Sequence, residues 1–212
     1  MTPVGRPREF DADAALDQAM TLFWRDGYEG TSVNELADAI GVGKPSLYAA
    51  FGDKESLYLR ALARYGERQR ADALAVLDAE SDARRAVERF LLGAVDTHLD
   101  PDRPAGCMVV AGTAMCDSAV VPERIRQAVR EALHAGGTAI EARLARAQRE
   151  QQIPITVDVA ALATYFHTVL AGLSVQAKGH QCRAALRGVV QAALRAWPVA
   201  EAAPARRRRA GA

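Results

Sequence analysis

The sequence predicts an all-α protein of about nine helices, on three observations. Alanine, the strongest intrinsic helix former, occupies 44 of 212 positions. Apolar residues recur at i, i+3, i+4 and i+7 along most of the chain, the spacing of one helical face. Each periodic run is bounded by Gly, Pro or a capping side chain. The overall balance is 50% hydrophobic and 25% charged, with a formal net charge of +1. That composition fits a soluble globular chain and excludes a collagen-like, wholly disordered or disulfide-scaffold protein.

The first helix starts after the N-cap Asp11, shows Leu16, Ala19, Met20 and Phe23 on one face, and is expected to end at Gly27. Ser32 and Glu35 form S-x-x-E, a capping box that opens a second helix carrying Val33, Leu36, Ala37 and Ile40. Gly41 stops it, and Gly43 closes a short turn. A third helix runs from about Lys44 to Phe51, with Pro45 in the first turn, where its missing N–H costs nothing. Leu47 and Phe51 face inward. Asp53 caps the next helix, over residues 53–79. This tight arrangement reads as a helix-turn-helix. Further helices are expected over Asp82–His98, Gly106–Asp117, Pro122–Gln151, Val157–Lys178 and Arg183–Trp197. Gly136-Gly137 inside the Pro122 helix marks a kink or a close helix contact. The division is therefore 1–52 for an arm and helix-turn-helix, 53–198 for a helical domain joined through helix 53–79, and 199–212 for a basic tail expected to be disordered.

Three cysteines, an odd number without a pairing pattern, point to a reducing compartment. The N-terminus lacks the apolar run of a signal peptide, and no uninterrupted apolar stretch has membrane-spanning length, so a cytoplasmic location is expected. Enzyme motifs are missing: there is no HExxH, G-x-S-x-G, Walker loop or G-x-G-x-x-G. His98, His134, His167 and His180 have no catalytic pairing, and His180-x-Cys182 lacks two further ligands for zinc. Neither enzymatic activity nor a metal or other cofactor is expected.

Residues 30–58, GTSVNELADAIGVGKPSLYAAFGDKESLY, resemble the N-terminal signature of the TetR family of bacterial transcription regulators. The resemblance rests on Gly27-Tyr28, the Thr31-Ser32 helix start, Ala37-x-x-x-Gly41-Val42, Leu47-Tyr48-x-x-Phe51, and Asp53-Lys54-Glu55-x-Leu57. In the rest of the chain, only Gly106-Cys107-Met108 and Gly172-Leu173-Ser174 echo the family. The resemblance implies a homodimer that sets the third helix of each subunit in the major groove of a palindromic operator, with half-sites roughly 34–36 Å apart. It further implies phosphate contacts from Tyr48 and Lys54, and a small-molecule pocket framed by the helices after the fourth.

The residues themselves agree with a DNA-reading role. Lys44, Pro45 and Ser46 lie on the first turn of the presumed recognition helix, and Ala49 on its outer face is small enough to meet a thymine methyl. Pro45 stands where the family often has a small flexible residue. Thr31 and Ser32 combine hydroxyls with a helix N-terminus, natural phosphate ligands. Arg6 and Arg8, in a Gly-Arg-Pro-Arg arm, suit an adjacent minor groove. Residues 1–65 nevertheless hold seven basic and ten acidic side chains. Placement rather than net charge must carry the interaction.

In the remaining helices, a ligand pocket is expected to be lined by Phe90, Val95, His98, Met108, Met115, Phe166, His167 and Leu170, a mixture of apolar bulk and polar groups. The last two helices are apolar over broad arcs and need partners on more than one side. Leu162, Phe166, Val169, Leu173, Leu186, Val190 and Leu194 are the expected dimer residues. Cys107, in the first turn of its predicted helix, is a candidate redox or electrophile sensor, assisted by Lys178 or His98. The expected function is an operator-binding repressor released by a small-molecule ligand, with a ligand-independent or cysteine-sensing regulator as the alternative.

Overall fold

The computed structural model describes residues 11–198, and among these every regular element is helical. The chain order is α1 (Ala12–Gly30), α2 (Val33–Ile40), α3 (Lys44–Phe51), α4 (Lys54–Asp78), α5 (Ala83–His98), α6 (Met108–Gly112), α7 (Glu123–Ala135), α8 (Thr138–Arg149), α9 (Val159–Lys178) and α10 (Arg183–Ala193). Short 3-10 turns follow α6 at Thr113–Met115 and α10 at Leu194–Ala196.

The local signals act as their chemistry requires. Asp11 accepts the N–H groups of Asp13 and Ala14, and Ser32 and Glu35 close the capping box at 3.1 and 2.7 Å. Gly27 breaks the helical path with φ +76°, but the helix resumes to Gly30 rather than ending there. Gly41 turns α2 into the turn before α3 in the left-handed conformation, which glycine adopts without steric cost.

Two expectations about helix lengths are corrected. The predicted Pro122–Gln151 helix divides at Gly136-Gly137 into α7 and α8. A Cβ on Gly136 would stand 2.8 Å from Nε2 of His167, so the bare backbone is what lets α9 approach. The predicted Gly106–Asp117 helix shrinks to the five residues of α6 and its 3-10 turn. Gly106 itself stays outside, at φ +77°, pressed against the carbonyl of Ser174 on α9.

The apolar faces form two main cores that share α4. The first joins α1, α2, α3 and the N-terminal half of α4 with Met108, Val109, Met115, Ile125 and Val129 of the α6–α7 region. The second packs the far end of α4 with α5, α8, α9 and α10. The three-helix head is therefore not sealed at residue 52. Its interior runs through Leu57, Tyr58, Ala61, Leu62 and Tyr65 into the body. Ion pairs from Arg64 to Asp13 and Asp17, and from Arg68 to Asp17, fasten α4 to α1. Arg6, Arg8 and Arg206 to Arg209 lie outside the described residues.

Candidate nucleic-acid interface

The third helix is anchored by Leu47 and Phe51, both buried, and this sets which of its residues look outward. Lys44, Pro45, Ser46, Tyr48 and Ala49 are exposed together. Gly43 gives α3 no side-chain cap, Pro45 carries no N–H, and the Ser46 and Leu47 N–H groups donate to the Gly43 carbonyl at 3.0 and 3.1 Å, so the first turn is closed by its own backbone. Tyr48 and Lys54 border one shallow groove between the start of α2, α3 and the start of α4. The Nζ of Lys54 lies 4.3 Å from the centre of the Tyr28 ring, a cation–π contact that fixes the ammonium beside the groove. Partial burial lowers the pKa of Lys54, while Glu29 and Glu35 pull it back up.

The two hydroxyls expected to meet phosphate separate. Ser32 is exposed at the α2 N-terminus. Thr31 is buried, and its hydroxyl donates to the carbonyl of Gly27 at 2.7 Å, closing the end of α1. Thr31 therefore positions the α2 start instead of presenting a hydroxyl to a ligand.

The expected ligand pocket also resolves differently. Phe90, Val95, Phe166 and Leu170 belong to the second core, Met108 and Met115 to the first, so these residues do not line one cavity. Inward positions on close-packed helices fill space, and that is what most of them do. His98 is buried with Nδ1 lacking a partner among the described residues, and burial pushes its pKa down to about 4. His167 packs over Gly136 and Gly137, and burial and then His134 lower its pKa. An open cleft of about 230 Å³ lies instead between the C-terminal end of α1 and α6, with Met108 and Met115 on its wall.

Cys107 caps α6 and is half-buried, and all three cysteines are free thiols. A five-residue helix supplies little macrodipole, which removes the electrostatic reason for expecting activation there. The thiol lies instead in contact with Tyr65, whose hydroxyl pKa is raised by burial and then by Cys107. The Cys107 N–H donates to the Ser174 hydroxyl at 2.8 Å. Gly106 donates its N–H to the carbonyl of His98, and the Lys178 side chain packs beside Gly106.

Comparison with known proteins decides the identity of this architecture. Residues 15–61 match the family described as bacterial regulatory proteins, tetR family, and residues 83–193 match the tetracyclin repressor-like C-terminal domain. The chain belongs to the TetR family of transcriptional regulators. It is 34% identical over 199 residues to the repressor ComR of Escherichia coli K12, covering 92% of each chain. It is 30% identical to the repressor BdcR of the same organism, covering 83% of this chain and 84% of that one. Among solved structures, it resembles a cysteine-substituted variant of the TetR family regulator CifR in complex with a 26-base-pair operator duplex. The match has a TM-score of 0.82 and 39% identity, covering 92% of this chain and 100% of that one.

Within this TetR-family body, the expected dimer residues divide between two faces. Phe166, Leu173, Leu186, Val190 and Leu194 are buried inside the chain and hold α9 and α10 against α5, which corrects their expected place on a subunit surface. Leu162 and Val169 are partly covered. The outward apolar face belongs to Tyr165, Val175 and Val189, with Gly172 and Gly188 open between them. Sequence reading missed these because an arc broad enough for two faces does not say which half is turned inward. It also missed Ser174, although its Gly-Leu-Ser motif and the Gly-Cys-Met motif were the two echoes noted, and the fold brings them into contact.

Proposed function

We propose that this regulator is a cytoplasmic homodimeric repressor that reads a palindromic operator with α3 of each subunit and is released by a small-molecule effector. The observation that carries the reading is the outward set Lys44, Pro45, Ser46, Tyr48 and Ala49 on a helix whose other side is locked into the core. Lys44, Pro45, Ser46 and Ala49 face the base edges, Tyr48 and Lys54 take phosphates, and Ser32 presents the α2 N-terminus to the backbone. Arg6 and Arg8, which lie outside the described residues, are assigned to an adjacent minor groove on their chemistry. The CifR variant named above was solved on operator DNA, and ComR and BdcR are described as repressors, which supports the same role here.

Dimerisation is supported by α9, a 20-residue helix containing an 18-residue stretch with a mean hydropathy of 1.3, of which 22% is buried. Length and composition would let it cross a membrane. Its packing against α5, α8 and α10 assigns it to a helical core, and the exposed apolar side is the natural seat of a second copy.

Selection of bound duplexes from a random pool tests the reading. One palindrome should be enriched. Tyr48→Phe and Lys54→Ala should each weaken it, Lys54→Ala also reducing the salt slope by about 1. No enrichment at low salt would refute it.

A second reading, release by thiol chemistry, is favoured by Cys107, a free thiol only half-buried at the start of α6 and beside the Tyr65 hydroxyl. On this reading, Cys107→Ser abolishes operator release by oxidants and electrophiles while leaving release by a non-reactive effector intact.

A further inference from the structure

We propose that Arg124, in the first turn of α7, is a positioning residue of the operator-binding surface. From the body of the molecule it cancels the carboxylate charge of Glu55 and Asp53 at the start of α4, where Lys54 takes a phosphate. This deepens the operator reading above and rests on it. The head needs such a cation. Residues 1–65 hold seven basic and ten acidic side chains, and Lys54 stands in the chain between Asp53 and Glu55, with Glu29 and Glu35 near enough to act on its ammonium. A phosphate approaching that lysine meets more negative charge than positive.

Of the three arginines of α7, Arg126 and Arg130 pair with Glu123 inside the helix, whereas Nη1 of Arg124 lies 3.1 Å from Oε1 of Glu55 on α4. A cation in a first helical turn opposes the macrodipole, so α7 itself does not favour an arginine there, and the partner across the interface does. That Glu55 oxygen is closed to solvent and accepts no hydrogen bond among the described residues. Water screens it poorly, and the guanidinium compensates it. Arg124 also acts on Asp53, whose pKa is lowered by its hydrogen bonds with Ser56 first and then by Arg124. Asp53 lines the shallow groove that Tyr48 and Lys54 border.

The influence of these carboxylates extends to the platform under Lys54. The Tyr28 hydroxyl has its pKa raised by burial, then by Glu55 and Asp53, and the Tyr28 ring bears the Lys54 ammonium. Packing holds Arg124 in place. Ile125, the next residue, and Val129 are buried in the first core with Leu57 and Tyr58 of α4. The backbone of Arg124 is therefore fixed against the start of α4, which limits the entropy lost in holding the ion pair. The Arg124 side chain itself is 74% exposed, so its replacement leaves the interior untouched. The body thus lends the reading head a positive charge that the head's own composition lacks.

The test measures, over a salt series, the affinity of the full chain for the duplex that the parent protein enriches from a random pool. Arg124→Gln should bind about fivefold more weakly at low salt, the effect of one uncompensated charge near the DNA backbone. The deficit should shrink as added salt screens that charge. Arg124→Lys should stay within about twofold of the parent, since either cation cancels a carboxylate. In a Glu55→Gln background, Arg124→Gln should cost little, because the charge to be cancelled is gone. Thermal midpoints and sedimentation of the Arg124 variants should match the parent. Full affinity in Arg124→Gln overturns the assignment. So does a deficit that salt leaves unchanged, which marks a structural role, and so does an equal loss in both backgrounds, which makes Arg124 a direct phosphate contact. A parent chain that enriches no duplex refutes the operator reading itself, whereas a parent that binds as tightly as Arg124→Gln refutes this inference alone.

Discussion

Arg143 shows what a single side chain does here. It is 2% exposed, its Nε donates to the carbonyl of Leu77 at 3.0 Å, and one terminal nitrogen reaches the carbonyls of Glu80 and Ser81 at 3.1 and 2.8 Å. The C-terminal end of α4 leaves orphan carbonyls, and a guanidinium from α8 collects them. Arg143→Met should lower stability by about 2–4 kcal/mol, since charged hydrogen bonds are lost and buried acceptors are left bare. Arg143→Lys should not restore it, because an ammonium lacks the planar fork. Urea midpoints of both variants, at unchanged slope, check the prediction. Gly106 is constrained in another way: its φ of +77° and the 2.8 Å approach to the Ser174 carbonyl leave no place for a Cβ. Gly106→Ala should cost about 1–3 kcal/mol, read from the same denaturation curves.

Between elements, the decisive contact is that of α9 with the α7–α8 junction. His167 occupies the space that a side chain on Gly136 would need. Gly136→Ala alone should therefore destabilise the chain by about 1–3 kcal/mol through overcrowding. In a His167→Ala background, the same change should cost much less, because the crowding partner is gone. Additive losses across the double-mutant cycle would show that the glycine serves the backbone and not the neighbour. The capping box of α2, by contrast, acts within its own helix. Ser32 and Glu35 were readable from spacing because both partners lie in one turn.

At the scale of the whole molecule, stability depends on pH through a buried histidine. His98 has a folded pKa of about 4, below the 6.5 of an exposed imidazole, because burial penalises its charged form. The unfolded chain therefore takes up a proton that the folded chain refuses, and stability falls as pH drops from 6.5 toward 4. The loss between pH 7 and pH 5 should be about 2 kcal/mol, and His98→Phe should flatten that part of the profile. His167 acts in the same direction. Assembly is governed by the opposite kind of residue, the exposed apolar one. Val175 is 58% and Val189 46% exposed, so Val175→Glu with Val189→Glu should convert a dimer to monomer in sedimentation while leaving helical content intact. Operator affinity should fall with it, since two reading heads act together.

The sequence by itself determined the helical class, the caps at Asp11, Ser32 and Asp53, the inward anchors Leu47 and Phe51, and the outward set on α3, because each depends on partners within a few residues. Periodicity says that a helix has an apolar side, and near the N-terminus there is only one core for that side to enter. In the body the same signal was ambiguous. Whether Phe166 meets a ligand, a second subunit or its own core depends on the packing of α9 against α5 and α10, and the structure assigns it to the core. Thr31 turned inward for a similar reason, since the path of α1 beyond Gly27 brings a carbonyl to its hydroxyl. Only the tertiary structure placed Gly106 against Ser174, Tyr65 against Cys107, and a cleft between α1 and α6. Such contacts join residues dozens of positions apart, and local propensity carries no information about which distant surface arrives.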